Sequence, residues 1–243
     1  MDIGTGKGRT LVTLLAAALI AVSLPVFAED DEAWEEDDRD PWISVNRPIH
    51  NFNDGFDRIL LRPVAVGYQK VTPRFVRTGV RNFFGNLGDV GDAVNNLLQG
   101  KFLDSASDVT RVLLNTTVGV GGLLDPASGV GLTDHQESFG QTLAVWGVPS
   151  GPYIVMPGRG PSTVRDGIAS YVDTFMQPLR YYHPVDHRNV LLGTDLIQTR
   201  ESLLAAEGAI FGDRYIFFRE AYLQRQEFLI NDGEVEDSFG DDF

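Results

Sequence analysis

The chain has 243 residues, no cysteine and a formal charge of −14 at pH 7. The absence of cysteine excludes disulfides, thiolate metal sites and cysteine nucleophiles. With 34 acidic residues against 20 basic ones, no basic surface is available for a nucleic-acid partner.

Lys7 and Arg9 precede an apolar run of 14 residues, Leu11 to Leu24, and Val26-Phe27-Ala28 follows. A membrane-spanning helix needs about 20 such residues. The pattern is that of a cleaved signal peptide, residues 1–28. A retained anchor is the alternative; the short run and Pro25 count against it. Residues 29–40 carry nine acids and one Arg, and residues 231–243 carry six acids and no base. Both are expected to be acidic, disordered segments. Together they account for the net charge and leave 41–230, the expected single domain, at −1.

That domain reads as helices broken by glycine and proline. Ile49, Phe52, Phe56 and Ile59 make one face, closed at Pro63. Thr72-Pro73 reads as an N-cap followed by a first-turn proline, before Phe75, Val76, Val80, Phe83 and Phe84. Leu87, Val90, Val94, Leu97 and Leu98 form a third face ending at Gly100, and Val109, Val112, Leu113 and Thr116 a fourth. Pro161-Ser162 opens a fifth, with Val164, Ile168, Tyr171, Val172 and Phe175. Two longer helices are expected near 189–206 and 211–230. The one strand candidate is Tyr153-Ile154-Val155-Met156. The fold class is therefore mainly α, with glycine-rich loops and little or no β.

Residues 138–158, SFGQTLAVWGVPSGPYIVMPG, carry no charge over 21 positions. Their length suits a bilayer, but Gly147, Pro149, Gly151, Pro152 and Pro157 would break a spanning helix. Two readings stay open: a buried loop, or a segment facing lipid or an apolar partner. A second uncharged run, Val112 to Leu124, likewise passes from helix into glycines.

Catalytic chemistry finds little support. His183 and His187 stand four apart, but Pro184 opposes a regular helix and no H-E-x-x-H pattern exists. There is no G-x-S-x-G elbow, and Gly119 to Gly122 lacks the spacing of a dinucleotide loop. No catalytic residue, metal or cofactor is expected. Asp54 and Arg58, and Asp108 and Arg111, are spaced as helical ion pairs.

Several stretches, taken in order, resemble the MlaA (VacJ) family. They begin with Asp40-Pro41-Trp42 and the run Asn46-Arg47-Pro48-Ile49-His50-Asn51-Phe52-Asn53. Asn82-Phe83-Phe84-Gly85-Asn86-Leu87 and Val94-Asn95-Asn96-Leu97-Leu98-Gln99-Gly100 follow. Arg111 to Gly119, Asp125-Pro126-Ala127, Phe139-Gly140-Gln141-Thr142-Leu143, Trp146-Gly147-Val148 and Arg219 to Arg225 complete the match, from about 40 to 230. The resemblance implies a ring-like arrangement of helices in the inner leaflet of a Gram-negative outer membrane. An amphipathic channel through the ring would remove mislocalised phospholipid from the outer leaflet and pass it to a periplasmic carrier. The implied partners are that carrier, an inner-membrane ABC transporter complex and an outer-membrane porin. A non-transporting adaptor that binds porins is the alternative. Many members carry lipid on an N-terminal Cys; with no Cys here, the chain is expected to be held without a lipid anchor.

On that resemblance Asn46, Arg47, Asn51, Phe52 and Asn53 are the family motif of the first helix. Gly119, Gly121, Gly122, Leu123, Leu124, Asp125 and Pro126 are expected to shape the channel or its gate. Phe139, Leu143, Val145, Trp146, Val148 and Tyr153 are expected to contact membrane or porin. Arg219, Tyr222 and Arg225 are candidates for lipid headgroups or for anchoring the last helix.

Overall fold

The computed structural model describes residues 37–233. The signal-peptide reading of 1–28 and most of both acidic segments lie outside these residues. Helix α1 (Ile43–Phe56) passes through a π-helical turn, Asp57–Leu61, into α2 (Arg62–Val71). Helices α3 (Arg74–Leu98) and α4 (Phe102–Thr117) form the most extensive helix pair. Short α5 (Pro126–Gly129) and α6 (Phe139–Val145) precede β1 (Tyr153–Met156) and β2 (Gly160–Thr163). Helix α7 (Val164–Met176), a 3-10 turn at Pro178–Tyr181, α8 (Val185–Ser202), a 3-10 segment at Leu204–Ala209 and α9 (Arg214–Ile230) complete the body. The fold is mainly α, with one two-stranded antiparallel sheet.

The polarity of the body is inverted. Among the described residues 18 buried side chains are polar or charged and eight are hydrophobic, four of those eight being alanine. By contrast 37 large hydrophobic side chains are exposed. At about 1 kcal/mol for each half-exposed side chain, their combined burial is worth tens of kcal/mol that folding alone does not collect. The α3–α4 pair shows how this arises. Asn86, Asp89, Ala93 and Asn96 repeat at helical spacing on α3, and Ser105, Asp108, Arg111 and Asn115 do so on α4; all eight are buried. Asn96 Nδ2 donates to Asp108 Oδ2 at 2.8 Å, and Asn86 Nδ2 to Thr116 Oγ1 at 3.0 Å. Ser105 Oγ donates to the Ala93 carbonyl at 2.8 Å, and Arg111 Nε to Asp89 at 3.3 Å. Leu97, Leu98, Phe102, Leu103, Val109 and Leu113 point outward. Polar contacts hold this pair together and its apolar residues face away.

The sheet is seated on α1 by two asparagines. Asn46 Nδ2 donates to the Tyr153 carbonyl at 3.1 Å while its Oδ1 accepts from Val155 N at 2.9 Å. Seven residues on, Asn53 Nδ2 donates to the Met156 carbonyl at 3.0 Å and its Oδ1 accepts from Gly158 N at 2.8 Å. Each amide presents one donor and one acceptor, as a neighbouring strand residue would. The small core beside them is Tyr153, Val155 and Tyr215.

The observed elements differ from the sequence reading at five points. Phe52, Phe56 and Ile59 do form one face, but it is the outward face, and Pro63 does not end the helix. The helix instead runs on through the π turn, and Pro63 stands in the first turn of α2 without breaking it. The second and third apolar faces belong to one helix of 25 residues, and its N-cap is Pro73, without a side-chain bond from Thr72. Pro161 and Ser162 lie in β2; the cap of α7 is Thr163, whose Oγ1 accepts from Asp166 N at 3.2 Å. Residues 37–40 belong to the folded body: Asp40 is 2 % exposed and accepts from Asn46 Nδ2 at 2.8 Å, from Tyr215 OH and from Arg219. Asp54 and Arg58 do pair, at 2.8 Å, whereas Arg111 pairs with Asp89 rather than Asp108.

An inverted body makes a distinctive stability prediction. Removing the inward amide with Asn46→Ala breaks three hydrogen bonds and should cost about 2–4 kcal/mol. Trimming outward Ile59, 82 % exposed, to Ala should cost under about 1 kcal/mol. Thermal unfolding of both variants in detergent checks the order; a larger loss for Ile59→Ala would contradict the polar interior.

Candidate functional site

Helix α1 carries Asp54 and its π turn carries Asp57, between outward-facing Phe52, Phe56 and Ile59. Charges in so apolar a setting need partners, and the far end of the chain supplies them. Arg214 Nη2 lies 2.9 Å from Asp54 Oδ1. Arg200 grips Asp57 through two bonds, Nε to Oδ1 at 2.6 Å and Nη2 to Oδ2 at 2.8 Å. Arg200 also bonds Glu207, whose other oxygen accepts from Arg62 at 3.0 Å. These guanidinium contacts, Arg62 first, hold the Glu207 carboxyl below its usual range. The Arg200 Nη1 group is buried and has no hydrogen-bond partner.

Beside this charged floor lies a cavity of about 350 Å³, with walls that are mostly apolar. Leu203, Ile210, Phe217 and Phe218 form much of that wall, and Pro161 closes it from the sheet turn. His50 also lines it. Burial pushes the imidazole below its usual pKa, so the ring is neutral near pH 7. It packs edge-on to Tyr215, with ring centroids 5.5 Å apart. The cavity thus offers apolar walls and a mixed-charge floor, which is the polarity of an amphiphile.

A second cavity, of about 380 Å³, lies between α3, the segment before α6, and α9. Carboxylate oxygens of Asp89, Asp92 and Asp134 lie within 4.8 Å of one another there. Burial pushes Asp92 up to about 8 and Asp89 up to about 6, with the neighbouring carboxylates adding to it. Asp92 accepts the backbone N–H of Glu137 at 3.1 Å, which works in the opposite direction.

The predicted site residues separate into distinct groups. In the family motif, Asn46 and Asn53 bind the sheet, and Asn53 also lines the 350 Å³ cavity. Arg47 stacks over Tyr215 and pairs with Asp213 at 2.7 Å, while Asn51 and Phe52 face outward. The 119–126 loop packs on α3 and is fixed from below. A Cβ on Gly119 would sit 2.3 Å from the Asn115 carbonyl oxygen and 2.5 Å from that of Leu124. Gly121 and Gly122 have positive φ angles of 70° and 88°, suited to glycine. Asn115 accepts from Ala127 N at 3.1 Å and donates to Asp125 at 3.1 Å, so Pro126 starts α5 from an anchored position. Leu123 and Leu124 project outward. In the uncharged stretch Val145, Trp146 and Val148 are exposed, and Phe139 and Leu143 are half-buried. Phe139 and Trp146 meet edge to face.

One assignment is corrected, and of the two roles open for Arg219 one is decided. Tyr153 is 1 % exposed, in the centre of the core beside Tyr215, so it cannot face membrane or porin. Arg219 is 6 % exposed and bound by Asp37, Asp40 and Glu220, so it anchors α9 to the segment 37–40 rather than meeting a headgroup. Tyr222 is half-buried and donates to Asp166 Oδ2 at 2.7 Å. Arg225 is exposed and lines the 380 Å³ cavity. The sequence reading missed Asp57, Arg200, Glu207 and Arg214. For Asp57 the signal was an ionisable residue standing inside an apolar helical face; the other three carried no such local signal.

The family model for the MlaA lipoprotein matches residues 38–229, most of the chain. This chain belongs to the MlaA family. The intermembrane phospholipid transport system lipoprotein MlaA of Escherichia coli is 35% identical over 229 residues, covering 91% of this chain and 90% of that protein. Its Haemophilus influenzae counterpart is 31% identical and covers 93% of each chain. An uncharacterised protein of Rickettsia typhi is 36% identical over 192 residues, 77% of this chain and 76% of its own. A solved structure reported as the structural basis for maintenance of bacterial outer membrane lipid asymmetry matches with a TM-score of 0.69. At 35% identity it covers 79% of this chain and 99% of that one.

The acidic cluster gives a pH prediction. Asp92 and Asp89 have raised folded-state values, so the folded body holds protons that the unfolded chain releases above about pH 4. Their contribution is full below about pH 4 and is lost as pH rises to about 8. Asp92→Asn, which keeps an acceptor for Glu137 N, should match the parent at pH 4. Near pH 8 it should be more stable by at least about 1 kcal/mol, read from thermal unfolding across pH. Equal stability at both pH values would contradict the buried-carboxyl reading.

Proposed function

We propose that this chain moves phospholipid at the Gram-negative outer membrane; its E. coli and H. influenzae relatives are named as lipoproteins of an intermembrane phospholipid transport system. The observation that carries the reading is the pairing of an outward apolar surface with an inward amphipathic cavity. The apolar surface seats the body in a bilayer. No helix among the described residues is long and apolar enough to cross a membrane. On this proposal the body sits within one leaflet, with its helices arranged as a ring. Phospholipid enters from the outer leaflet, its chains against Phe217 and Ile210 and its headgroup toward Arg200 and Glu207. It leaves to a periplasmic carrier that supplies an inner-membrane ABC transporter complex. The reaction breaks no bond; fixed charges on an apolar path lower the barrier for a headgroup crossing it.

The outward residues fit a second half of the reading. Val145, Trp146 and Val148, with Phe139 and Leu143 beside them, form the contact for lipid or an outer-membrane porin. The 119–126 loop, with Leu123 and Leu124 outward and Gly119 and Gly122 tightly packed, acts as the gate. The apolar surface supplies a membrane hold of its own, independent of any N-terminal lipid.

The test is outer-leaflet phospholipid in cells with and without the protein. Deletion should raise it and the intact chain should restore it. Phe217→Glu, present at the same level in the outer membrane, should fail to restore it. Full restoration by Phe217→Glu would exclude this cavity as the path. No rise on deletion would move the assignment to a porin-binding adaptor.

A further inference from the structure

Where α2 hands over to α3, a polar cavity of about 440 Å³ opens between the first turns of α3 and the end of α8. Arg74, Arg77 and Arg81 line it from α3, at spacings that bring all three to one helix face. Only one carboxylate lines it, Glu201. Arg77 Nη1 pairs with Glu201, and Gln69 Nε2 donates to the same oxygen at 3.0 Å. Arg77 Nε is buried with no hydrogen-bond partner. Arg74 and Arg81 are exposed and make no ion pair among the described residues. The cavity therefore holds two cations in excess, on a body whose charge over 41–230 is −1.

The surroundings are apolar. Val71 is 81 % exposed and Phe75 79 % exposed, at the same corner of the fold. Side chains of this kind enter an acyl layer while neighbouring guanidiniums remain at the headgroup level. Guanidinium groups match phosphate oxygens through paired N–H bonds, and the exposed Arg74 and Arg81 present theirs at this cavity. We propose that this cavity binds the phosphate of an anionic phospholipid headgroup, fixing the α2–α3 corner to the bilayer surface. The site is separate from the Asp54–Arg200 cavity. It holds a lipid at the surface rather than passing one, and it stands whether or not the transport reading does.

The experiment is flotation of the mature protein with phosphatidylcholine vesicles, with and without phosphatidylglycerol. The parent should prefer vesicles containing phosphatidylglycerol. Arg74→Gln with Arg81→Gln should reduce that preference about tenfold or more. Arg159→Gln with Arg180→Gln removes the same charge elsewhere and should leave the preference nearly intact. Arg74→Lys with Arg81→Lys keeps the charge without the paired N–H geometry and should fall between; this variant also answers for any folding defect of the glutamine pair. Equal losses from the two glutamine pairs would overturn the proposal in favour of diffuse charge. Binding of inorganic phosphate at constant ionic strength by a parent protein that shows no preference for phosphatidylglycerol vesicles would assign the site to free anions and overturn the lipid source.

Discussion

A protein whose outer side chains are apolar must settle its polar groups internally, because its surroundings offer none of the hydrogen bonds of water. On the bilayer seat proposed above, that constraint organises the body of this chain. Asp89 with Arg111, Asn96 with Asp108, and Asp57 with Arg200 are each contacts between elements, and each draws a polar group inward. In a water-soluble helical domain apolar side chains do this work. Here the hydrophobic core is small, centred on Tyr153, Val155 and Tyr215, and hydrogen bonds carry much of the specificity of packing. Such contacts are directional, so they fix helix register as well as helix proximity.

The functional geometry follows from the same constraint. Charges on an apolar helix must be met by charges from elsewhere, so Asp54 and Asp57 draw Arg214 and Arg200 across the fold. The space left between these paired charges and the aromatic side chains of α9 is the amphipathic cavity. The two asparagines that replace a strand beside β1 hold α1 against the sheet turn, so Pro161 and Asn53 face one space. The floor of the cavity and the frame of the fold are therefore built from the same ion pairs.

Much of this was legible in the sequence, and its limits have physical causes. Apolar periodicity marked the helices, because a stripe on one face repeats at the helical period whichever way it faces. Periodicity gives the phase of a helix but not the direction of its core. Phe52, Phe56 and Ile59 read as a stripe, and only tertiary structure shows them pointing out. The inward stripe of Asn86, Asp89 and Asn96 was equally periodic and went unread, because buried asparagine is rare in water-soluble cores. The second strand was hidden because Gly160 and Pro161 disfavour extended ladders, and the end of α1 was misjudged because a π turn accommodates Pro63. Tyr153 was misplaced, and the role of Arg219 left open between two alternatives, for one reason. Their burial depends on residues far along the chain, Asp40 lying 179 positions from Arg219, and no local pattern carries such a contact. The family resemblance supplied what local pattern could not, since it spans the body from about residue 40 to 230.

The absence of cysteine makes the central claim directly measurable. Single cysteines at outward Ile59, Leu103 and Leu113 can each carry a nitroxide, with the protein reconstituted in phospholipid bilayers. The accessibility of each label to dissolved oxygen and to a water-soluble nickel chelate then reports its surroundings. An apolar surface seated in lipid predicts high collision with oxygen and low collision with nickel at all three sites. High nickel accessibility at these sites would place the surface in water and contradict the inverted body as the basis of function.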